Sequence, residues 1–358
     1  MSQKSITICY VPGRESSYVR NRVLIKGFKE IGVNIIDCSH PKKTALRYLH
    51  TFFNYLKNKS KADVILIGFL GQPLVPFVRL TTRKPIIFDT FVSMYQTLAF
   101  DRQSIKPKGA SAWLVRFLEK LSCQWADICF LDTEQHIQYF LKEYGLDKNK
   151  FFRSFLGADN TRQPITTELN NKKPIIHFHG EFQALHGTKY IIDAARLLPD
   201  VHFRLIGGGM ELAERRRQAE QLNLKNITFI PTVQFDEIPD YIAQATICLG
   251  LLGETEKVRL VIPFKIFETL CMAKPIITAD TSSIRELLTH RHDVYLCEAA
   301  NSQSLAEAIT TLLNDASLRE NIARNGYRTF NNRCSPPKIA SDILRITQQY
   351  LESRENVR

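Results

Sequence analysis

Short apolar, β-branched stretches alternate with amphipathic stretches along most of the chain, and this alternation constrains the fold more than any other feature. In the first half, stretches such as 63–69 and 127–132 are apolar almost throughout, as strands are in a parallel sheet that is covered on both faces. The alternation stops at a polar stretch around Pro164 and starts again at Pro174. The pattern predicts two α/β domains in series, each a doubly wound parallel sheet, with a ligand cleft between the carboxyl ends of the two sheets.

Composition sets the domain boundaries and the charge of each part. We expect a first domain at 1–160, a linker at 161–173, a second domain at 174–335, and a last helix in 336–358 that could pack back on the first domain. The chain carries 48 Lys and Arg against 36 Asp and Glu, a net charge of +12. Of these, 24 basic and 13 acidic residues lie in 1–160, so that part carries +11 and the remainder +1. The basic first domain predicts an anionic partner: a surface, a nucleic acid or an acidic substrate.

The sequence contains neither the pattern of a membrane span nor that of a signal peptide. The longest apolar stretch, 64–80, is interrupted by Gln72, Pro73 and Pro76 and is shorter than the ~20 residues that a spanning helix needs. The N-terminal apolar stretch is too short for the core of a signal peptide. Eight cysteines are scattered without a Cys-x-x-Cys pair, as is typical of buried free thiols in a reducing compartment. We therefore expect a cytoplasmic protein without a disulfide framework.

Two glycine-containing turns follow predicted strands, the positions at which parallel α/β sheets bind ligands. Gly207 and Gly209 lie between a strand and a helix, where a phosphate-binding turn would be. Leu212 occupies a position that a dinucleotide fingerprint gives to glycine or alanine, so a nicotinamide site is not favoured, and a flexible turn is the alternative. Gly180 and Gly187 bracket a second loop, where backbone amides can approach a ligand closely.

Three histidines, His177, His179 and His186, surround that second loop. No cysteine or carboxylate follows them at the spacing of metal ligands, so a metal site is not expected.

Residues 259–280 contain the most informative pattern. Pro263 stands where a helix would begin, and Lys265 and Glu268, three residues apart, project from one face of its first turns. A helix N-terminus with a lysine attracts an anion, and a carboxylate one turn later can accept hydrogen bonds from two ribose hydroxyls. The pair fits a nucleotide diphosphate. An exposed ion pair on an apolar helix is the alternative.

In their order and spacing, these motifs resemble retaining glycosyltransferase family 4. The matching pieces extend over nearly the whole chain: His179-Gly180, Gly187 with 193–198, 205–209, 239–245, 263–275, and in the first half 127–133 and 156–159. The resemblance implies the GT-B fold, an α/β fold in which two Rossmann-like doubly wound domains face each other across a cleft. It also implies that the first domain binds the acceptor and the second binds a nucleotide sugar.

Three positions in the second half of the chain differ from the family pattern. Glu268 matches the second of two glutamates separated by seven residues, but Leu260 occupies the first position. Glu181 and His186 stand where members of the family often have the arginine and lysine that hold the donor diphosphate. The positive charge must then come from other side chains, and we expect Arg259 and Lys265 to supply it.

The resemblance implies a role for each matching residue, with Asp89, Lys265 and Glu268 as the catalytic candidates. Asp89 stands where many members have a histidine that faces the donor sugar. A carboxylate there could bind a sugar hydroxyl or stabilise a developing positive charge, and structural capping is the alternative. The expected donor-binding residues are His179, Gly180, Gly187, Gly207, Gly209, Arg259, Lys265, Glu268, Thr281 and Ser282, and those on the acceptor side are Gly13 and Arg14.

The implied reaction moves a sugar, with retention, from a nucleotide diphosphate sugar to a hydroxyl group of a saccharide or lipid-linked acceptor, as in polysaccharide biosynthesis. Cationic and amide groups would stabilise the departing diphosphate, and the leaving phosphate would deprotonate the acceptor. No bound cofactor or metal is expected. The alternatives are a GT-B epimerase, a phosphorylase with pyridoxal phosphate, or a non-catalytic relative that binds a nucleotide sugar.

Two stretches in the first half, 42–61 and 106–125, place lysines and arginines beside apolar side chains. Such stretches suit the interface of an anionic membrane, and we expect peripheral contact with the inner face of the cytoplasmic membrane. The alternative is a pair of sheet-covering helices with solvated lysines. Nucleic acid is not an expected partner, because no nucleic-acid-binding module is recognisable.

Overall fold

The computed structural model describes residues 6–41, 46–161, 164 and 173–356. The chain divides into two compact units: unit 1 comprises Met1–Asp159 and Arg333–Arg358, and unit 2 comprises Asn160–Asn332. The expected linker at 161–173 lies almost wholly outside the described residues. Each unit contains a six-stranded parallel sheet with helices between its strands, so the predicted doubly wound α/β fold class is confirmed.

Unit 1 has the strand order β2-β1-β3-β4-β5-β6, with every neighbouring pair parallel. Its strands are β1 (Thr7–Val11), β2 (Asn34–Asp37), β3 (Val64–Ile67), β4 (Ile86–Phe91), β5 (Ile128–Leu131) and β6 (Phe151–Arg153). The helices among them are α1 (Val19–Glu30), α2 (Arg47–Asn58), α3 (Leu74–Thr81), α4 (Met94–Gln96), α5 (Ala110–Trp125) and α6 (Glu134–Tyr144). The strand order reverses between β1 and β3, and ligands of such sheets bind beyond the carboxyl ends of the strands at that point.

Helix α3 lies within the longest apolar stretch, where two prolines argue against a helix. Pro73 caps the helix, and Pro76 is its third residue. The first four N–H groups of a helix have no acceptor within the helix, so a proline costs little there. No helix in the described ranges combines the length and the apolar content needed to cross a bilayer.

Unit 2 has the strand order β12-β11-β10-β7-β8-β9, again all parallel. Its strands are β7 (Ile175–His179), β8 (His202–Ile206), β9 (Ile227–Ile230), β10 (Ile247–Leu249), β11 (Ile276–Ala279) and β12 (Tyr295–Cys297). Its helices are α7 (Thr188–Leu197), α8 (Leu212–Gln221), α9 (Ile238–Gln244), α10 (Phe264–Cys271), α11 (Ser282–Arg285), α12 (Ser302–Asn314) and α13 (Ala316–Arg333). The order reverses between β7 and β10, which places the ligand-binding position of this fold at their carboxyl ends.

The last helix, α14 (Pro336–Glu355), belongs to unit 1, although the whole of unit 2 precedes it in the chain. It packs along α1, and its buried side chains Ile339 and Ile343 share an apolar cluster with Val23 and Phe28 of α1. Burial of these side chains stabilises unit 1 by roughly 1.5–3 kcal/mol each.

Candidate functional site

The predicted helix of the 259–280 segment forms at the reversal point of the unit 2 sheet. Pro263 is its N-cap residue in an extended conformation, and α10 begins at Phe264. Lys265 and Glu268 therefore lie on one side of its first turns, as their spacing predicts. The loop after β7 starts at Gly180 and lies beside the same two side chains.

Lys265 is buried without a hydrogen-bond partner. Its side chain is 5% exposed, and within the described residues its Nζ has no acceptor. Nζ lies 3.7 Å from the centroid of the Phe178 ring, where the ring quadrupole attracts a cation. Burial lowers the pKa of Lys265 well below its ordinary value, and the nearby Glu268 carboxylate opposes this shift. The site thus contains an amine that can become a cation and has no anion of the protein bonded to it.

Glu268 is held by a histidine from β7. His179 Nε2 lies 3.0 Å from Glu268 Oε2, and the carboxylate side chain remains 10% exposed. In the part of the chain that the structure describes, Oε1 of Glu268 has no hydrogen-bond partner. The arrangement fixes the carboxylate and leaves one oxygen available to hydroxyl donors of a ligand.

Gly180 and Gly207 are close-packed against each other at the ends of β7 and β8. Both have a positive φ, 140° and 142°, and an added Cβ at Gly207 would overlap the carbonyl oxygen of Gly180. The Gly180 N–H donates to Ile206 O and the Gly207 N–H donates to Ile230 O. These two amides donate to backbone carbonyls and are not available to a ligand. The close packing explains why glycine stands at both positions. A Cβ at Gly180 would also come within 2.9 Å of Lys265 Nζ.

His186 stands where the family pattern has a lysine, but its surroundings disfavour its charged form. Its Nδ1 contacts the backbone carbonyl of Glu181, and its ring packs edge-on to Phe178. Burial and the nearby Lys265 lower the pKa of His186 well below its ordinary value. His186 therefore does not replace that lysine as a cation. Gly187 and Gly209 lie next to the starts of α7 and α8.

The remaining expected donor-binding residues lie on two neighbouring loops of unit 2. Arg259 is exposed, and its backbone carbonyl accepts a hydrogen bond from Ser282 Oγ at 3.2 Å. Thr281 caps the short helix α11 by accepting from the Ile284 N–H. One loop is thus pinned to the other, which places Arg259 beside Ser282.

In unit 1, Asp89 is fully buried and paired with Arg20. The two guanidinium hydrogen bonds to its carboxylate measure 2.9 and 2.7 Å, and Arg20 also donates to Ser154 Oγ and to the Phe155 carbonyl. A bidentate pair uses both carboxylate oxygens. Phe91, two residues later, has a φ of 63°. This arrangement favours a structural role for Asp89 over contact with a sugar, but as the partner of Arg20 and not as a cap.

The two residues expected on the acceptor side follow β1. Gly13 donates its N–H to Phe69 O, and an added Cβ would overlap the Leu70 carbonyl oxygen. Arg14 makes two 3.1 Å hydrogen bonds to Glu15, and its guanidinium lies 4.5 Å from the centroid of the Tyr18 ring. Both residues stand at the reversal point of the unit 1 sheet.

Sequence reasoning missed two buried arginines, Arg20 and Arg204. Arg204 lies in the otherwise apolar strand β8 and is 6% exposed. A charged residue inside a buried strand requires a partner, so its position in the sequence was an available signal. Arg20 lies on an ordinary amphipathic helix, and the sequence gives no local sign that it is buried.

Comparison with known proteins places the region that contains Lys265 and Glu268 in a family. Residues 159–329 match the model of glycosyl transferases group 1. The match covers nearly all of unit 2, which comprises Asn160–Asn332. The matched range includes the glycine turns and the lysine–glutamate helix, and the match supports the glycosyltransferase class that the sequence motifs imply.

Relatives and solved structures extend the comparison beyond the group 1 domain. The chain is 23% identical to N,N'-diacetylbacillosaminyl-diphospho-undecaprenol alpha-1,3-N-acetylgalactosaminyltransferase of Campylobacter jejuni, over 70% of this chain and 67% of that protein. It is 21% identical to chitobiosyldiphosphodolichol beta-mannosyltransferase of Candida albicans, over 62% of this chain and 53% of that protein. The matches thus span between about half and two thirds of these relatives. HepE of Anabaena, solved in complex with UDP, superposes with a TM-score of 0.72 at 15% identity, over 96% of this chain and 100% of that chain. The GT-B fold is confirmed by this likeness.

Proposed function

We propose that the protein is a retaining glycosyltransferase that moves a sugar from a nucleotide diphosphate sugar to a hydroxyl group of a lipid-linked or polysaccharide acceptor. The observation that carries this proposal is Lys265, a buried amine without a hydrogen-bond partner in the described part of the group 1 domain. An unsatisfied buried polar group costs about 1–3 kcal/mol. An anion that arrives with the ligand accounts for this cost, and a diphosphate is such an anion.

The donor would bind along α10 and the loop after β7. Glu268 would accept hydrogen bonds from the ribose hydroxyls through its unpaired Oε1, and Lys265 would bind the diphosphate. Arg259, exposed beside Ser282, would add a second positive charge on the solvent side. The fold relative solved with UDP supports a uridine nucleotide as the first donor to test.

The chemistry would need little from the protein beyond positioning and charge. The bond between the anomeric carbon and the diphosphate oxygen breaks while the acceptor oxygen bonds to the same face of the sugar. The acceptor proton passes to the departing phosphate oxygen, so no protein base is required. Negative charge grows on the leaving diphosphate, and a protonated Lys265 stabilises it. No resident metal or cofactor is part of this proposal, and activity should persist in EDTA.

The acceptor would bind to unit 1, where Gly13 and Arg14 lie at the reversal point of the sheet. Two relatives are named for acceptors on diphospho-undecaprenol and diphosphodolichol. Both acceptors are anionic and lipid-linked, and they suit the +11 charge of residues 1–160.

A surface of unit 1 supports contact with a membrane. Nine of the eleven large apolar side chains that are exposed in the described chain lie in unit 1: Leu46, Leu49, Phe53, Phe77, Leu80, Phe100, Trp113, Leu114 and Phe117. Most of them project from the neighbouring helices α2, α3 and α5, which pack against one another. Phe77 approaches Phe52 of α2, and Trp113 stacks on Phe117. We call these nine residues the apolar face.

Exposed cations lie on or near the helices that carry the apolar face. They are Lys57, Lys61, Arg83, Arg102, Lys106, Lys108 and Lys120. Apolar side chains with lysines beside them bind the headgroup region of an anionic bilayer, each cation adding about 1 kcal/mol near the surface. We therefore propose that the apolar face rests on an anionic membrane that carries the acceptor.

The donor site is tested by measuring nucleoside diphosphate release from a panel of nucleotide sugars, with membrane extract as acceptor. We expect Lys265→Ala and Glu268→Ala to lower kcat/KM by at least tenfold, since each removes a charge-assisted contact worth about 1.5–3 kcal/mol. Lys225→Ala, an exposed lysine of the same unit, is the matched control. Full activity of both site variants would refute the site, and an inverted anomer in the product would refute retention.

The other functions of a GT-B protein give different results in the same assay. An epimerase converts the nucleotide sugar without an acceptor, and a phosphorylase shows the absorbance of pyridoxal phosphate. A non-catalytic relative binds nucleotide but never releases the sugar. Any of these results would replace the transferase proposal.

Membrane contact is tested by sedimentation with vesicles of phosphatidylglycerol and phosphatidylcholine. We expect binding at low salt that weakens at high salt, and we expect Phe53→Ser combined with Trp113→Ser to reduce it several-fold. Leu197→Ser, an exposed leucine of unit 2, is the control. Equal binding by both variants would exclude the apolar face.

A further inference from the structure

A row of buried polar side chains connects Arg204 to Glu268 through two histidines, and we call it the Arg204 relay. Arg204 Nε lies 3.4 Å from His177 Nδ1. His177 Nε2 lies 3.1 Å from His179 Nδ1, and His179 Nε2 lies 3.0 Å from Glu268 Oε2. The two imidazole rings stack with centroids 5.1 Å apart. Every member belongs to unit 2.

The chemistry of the two ends fixes the direction of each hydrogen bond. A guanidinium N–H can only donate, so His177 Nδ1 accepts and its proton sits on Nε2. His177 Nε2–H donates to His179 Nδ1. Because His179 Nδ1 accepts, the proton of the neutral His179 ring lies on Nε2. A carboxylate can only accept, so Glu268 Oε2 accepts a hydrogen bond from His179 Nε2–H. All three bonds therefore run the same way, from the cation to the carboxylate, with both imidazoles neutral.

The protein keeps His177 neutral. Its side chain is fully buried, and burial together with the neighbouring His179 and Arg204 lowers the pKa of His177 well below its ordinary value. A neutral imidazole has one donor and one acceptor nitrogen, which is what a one-way relay needs.

The far end of the relay is anchored on helix α9. Arg204 Nη1 donates to Gln244 Oε1 at 2.9 Å, another nitrogen contacts the Tyr241 carbonyl, and the guanidinium lies 5.1 Å from the centroid of the Tyr241 ring. These contacts hold the guanidinium so that Nε is aimed at His177.

Ordinary packing of the sheet does not require these residues. His177 and Arg204 are register partners on β7 and β8, and the neighbouring pair, Phe178 and Leu205, is apolar. A buried charged group and its partners are often no more stabilising than apolar residues of the same volume. The relay ends on Glu268, a carboxylate of the candidate donor site, which gives it a purpose that packing does not.

We propose that Arg204, His177 and His179 are positioning residues that orient the Glu268 carboxylate, so that Oε1 faces the ribose hydroxyls of the donor. The proposal rests on the donor site described under the proposed function. It adds Arg204 and His177 to that site, and it gives His179, which the sequence predicts to bind the donor, a role that acts through Glu268. Loss of the relay should weaken recognition of the ribose while leaving the chemical step intact.

The first test compares nucleoside diphosphates with their 2'-deoxy forms by calorimetry, using UDP first and GDP and ADP beside it. If Glu268 is oriented for the ribose, the wild-type protein should bind the ribonucleotide about tenfold or more tightly. The ratio of the two Kd values, 2'-deoxy form to ribonucleotide, should fall towards one in His179→Asn. It should recover in His179→Gln, because the amide nitrogen of glutamine can occupy the position of Nε2 and that of asparagine cannot.

The relay members that do not touch Glu268 provide the stricter comparison. His177→Phe removes the donor to His179 Nδ1, so the His179 proton is no longer held on Nε2, and the ratio should again fall. In turnover assays KM for the donor should rise several-fold with kcat nearly unchanged, as expected when uniform binding is lost. His202→Asn, a histidine of β8 outside the relay, is the control. An unchanged ratio in folded His177→Phe and His179→Asn variants would overturn the proposal.

A second measurement does not depend on nucleotide binding. Proton-detected ¹⁵N spectra of histidine-labelled protein report which ring nitrogen carries the proton, and His177→Phe and His179→Gln assign the two rings. We expect both rings to be neutral with the proton on Nε2, and we expect Arg204→Met to change the tautomer populations of His177. A proton on Nδ1 of either ring in the wild-type protein would refute the relay. If no nucleotide binds but these tautomers are found, the proposed function fails and the relay stands.

Discussion

At the scale of the residue, the candidate site is defined by one lysine in an unfavourable environment. Lys265 combines burial, the absence of a hydrogen-bond acceptor in the described chain and an aromatic ring at 3.7 Å. The ring recovers part of the cost of burial, about 0.5–2 kcal/mol. The rest remains as a local cost to folding that a bound anion would remove.

Lys265→Met should therefore increase stability while it weakens nucleotide binding by tenfold or more. Methionine fills a similar volume without an amine, and removing an unsatisfied buried group should raise the free energy of unfolding by about 1–3 kcal/mol. Denaturant unfolding near neutral pH measures this change in the free energy of unfolding. The pKa of Lys265 is lowered in the folded state, so the unfolded chain holds more protons only between that pKa and ~10.4. Stability rises with pH across this window, and the cost of the buried charge is complete below it and absent above it. A destabilised but folded variant would contradict this account.

Donor binding should take up protons through Lys265. Its pKa is well below the ordinary value in the free protein, and a diphosphate beside it would raise that pKa again. Between the two pKa values, binding adds up to one proton, and affinity falls as the pH rises. Calorimetry of UDP binding in buffers of different ionisation enthalpy measures the uptake. Subtracting the result for Lys265→Arg, which keeps its charge at all these pH values, removes the protonation of the nucleotide itself. Equal uptake by both proteins would exclude Lys265 as the group.

At the scale of the element, close backbone approach decides how the helices of unit 1 pack. Gly27 of α1 faces the start of α14, and a Cβ added there would overlap the backbone carbonyl oxygen of Pro336. A glycine at this position of α1 therefore lets the two helices approach each other closely. This contact positions α14, whose apolar side chains share a core cluster with α1.

Gly27→Ala should destabilise the protein, although helix propensity predicts the reverse. Alanine is favoured over glycine by about 1 kcal/mol inside a helix, but overpacking typically costs about 1–3 kcal/mol, and here the obstacle is rigid backbone. Urea unfolding should show a net loss. The exposed Lys29→Ala on the same helix is the control, and we expect no loss there. A stabilised Gly27→Ala variant would mean that α1 and α14 are not in this contact.

At the scale of the whole molecule, unit 1 is assembled from two distant segments of the chain. Its sheet comes from residues before Asp159, and the helix that covers one side of it comes from residues after Arg333. Unit 2 is continuous in sequence. The two units should therefore respond differently to loss of the C-terminus.

A chain that ends at Asn332 should lose the structure of unit 1 and keep that of unit 2. Removing α14 exposes Ile8, Val23 and Phe28, which share its apolar cluster, at roughly 1.5–3 kcal/mol for each large side chain left uncovered. Hydrogen exchange should show lost protection in 7–159 and retained protection in 175–332. Deletion of 356–358 alone is the control. Protection retained throughout 7–159 would show that α14 is dispensable.

The sequence by itself determined the features that depend on residues close together in the chain. Periodicity located most strands and most of the longer helices, although not α13. Strands buried on both faces are apolar throughout, and helices buried on one face have an apolar stripe. Pro263, Lys265 and Glu268 were found because a helix start and a three-residue spacing fix which side chains share a face. Helix α3 was missed because a proline that breaks a helix in its interior is harmless in its first turn.

Only the tertiary structure decided which distant groups are partners. No residue near Asp89 in the sequence indicates that its partner is Arg20, 69 residues earlier. Likewise, His179 and Glu268 are 89 residues apart, and the Arg204 relay exists because parallel pairing sets His177 opposite Arg204. A sequence pattern records whether a side chain is buried and on which face, since that depends on its neighbours in the chain. The orientation of a buried charge depends on hydrogen bonds across the sheet, and those are made only when the strands come together.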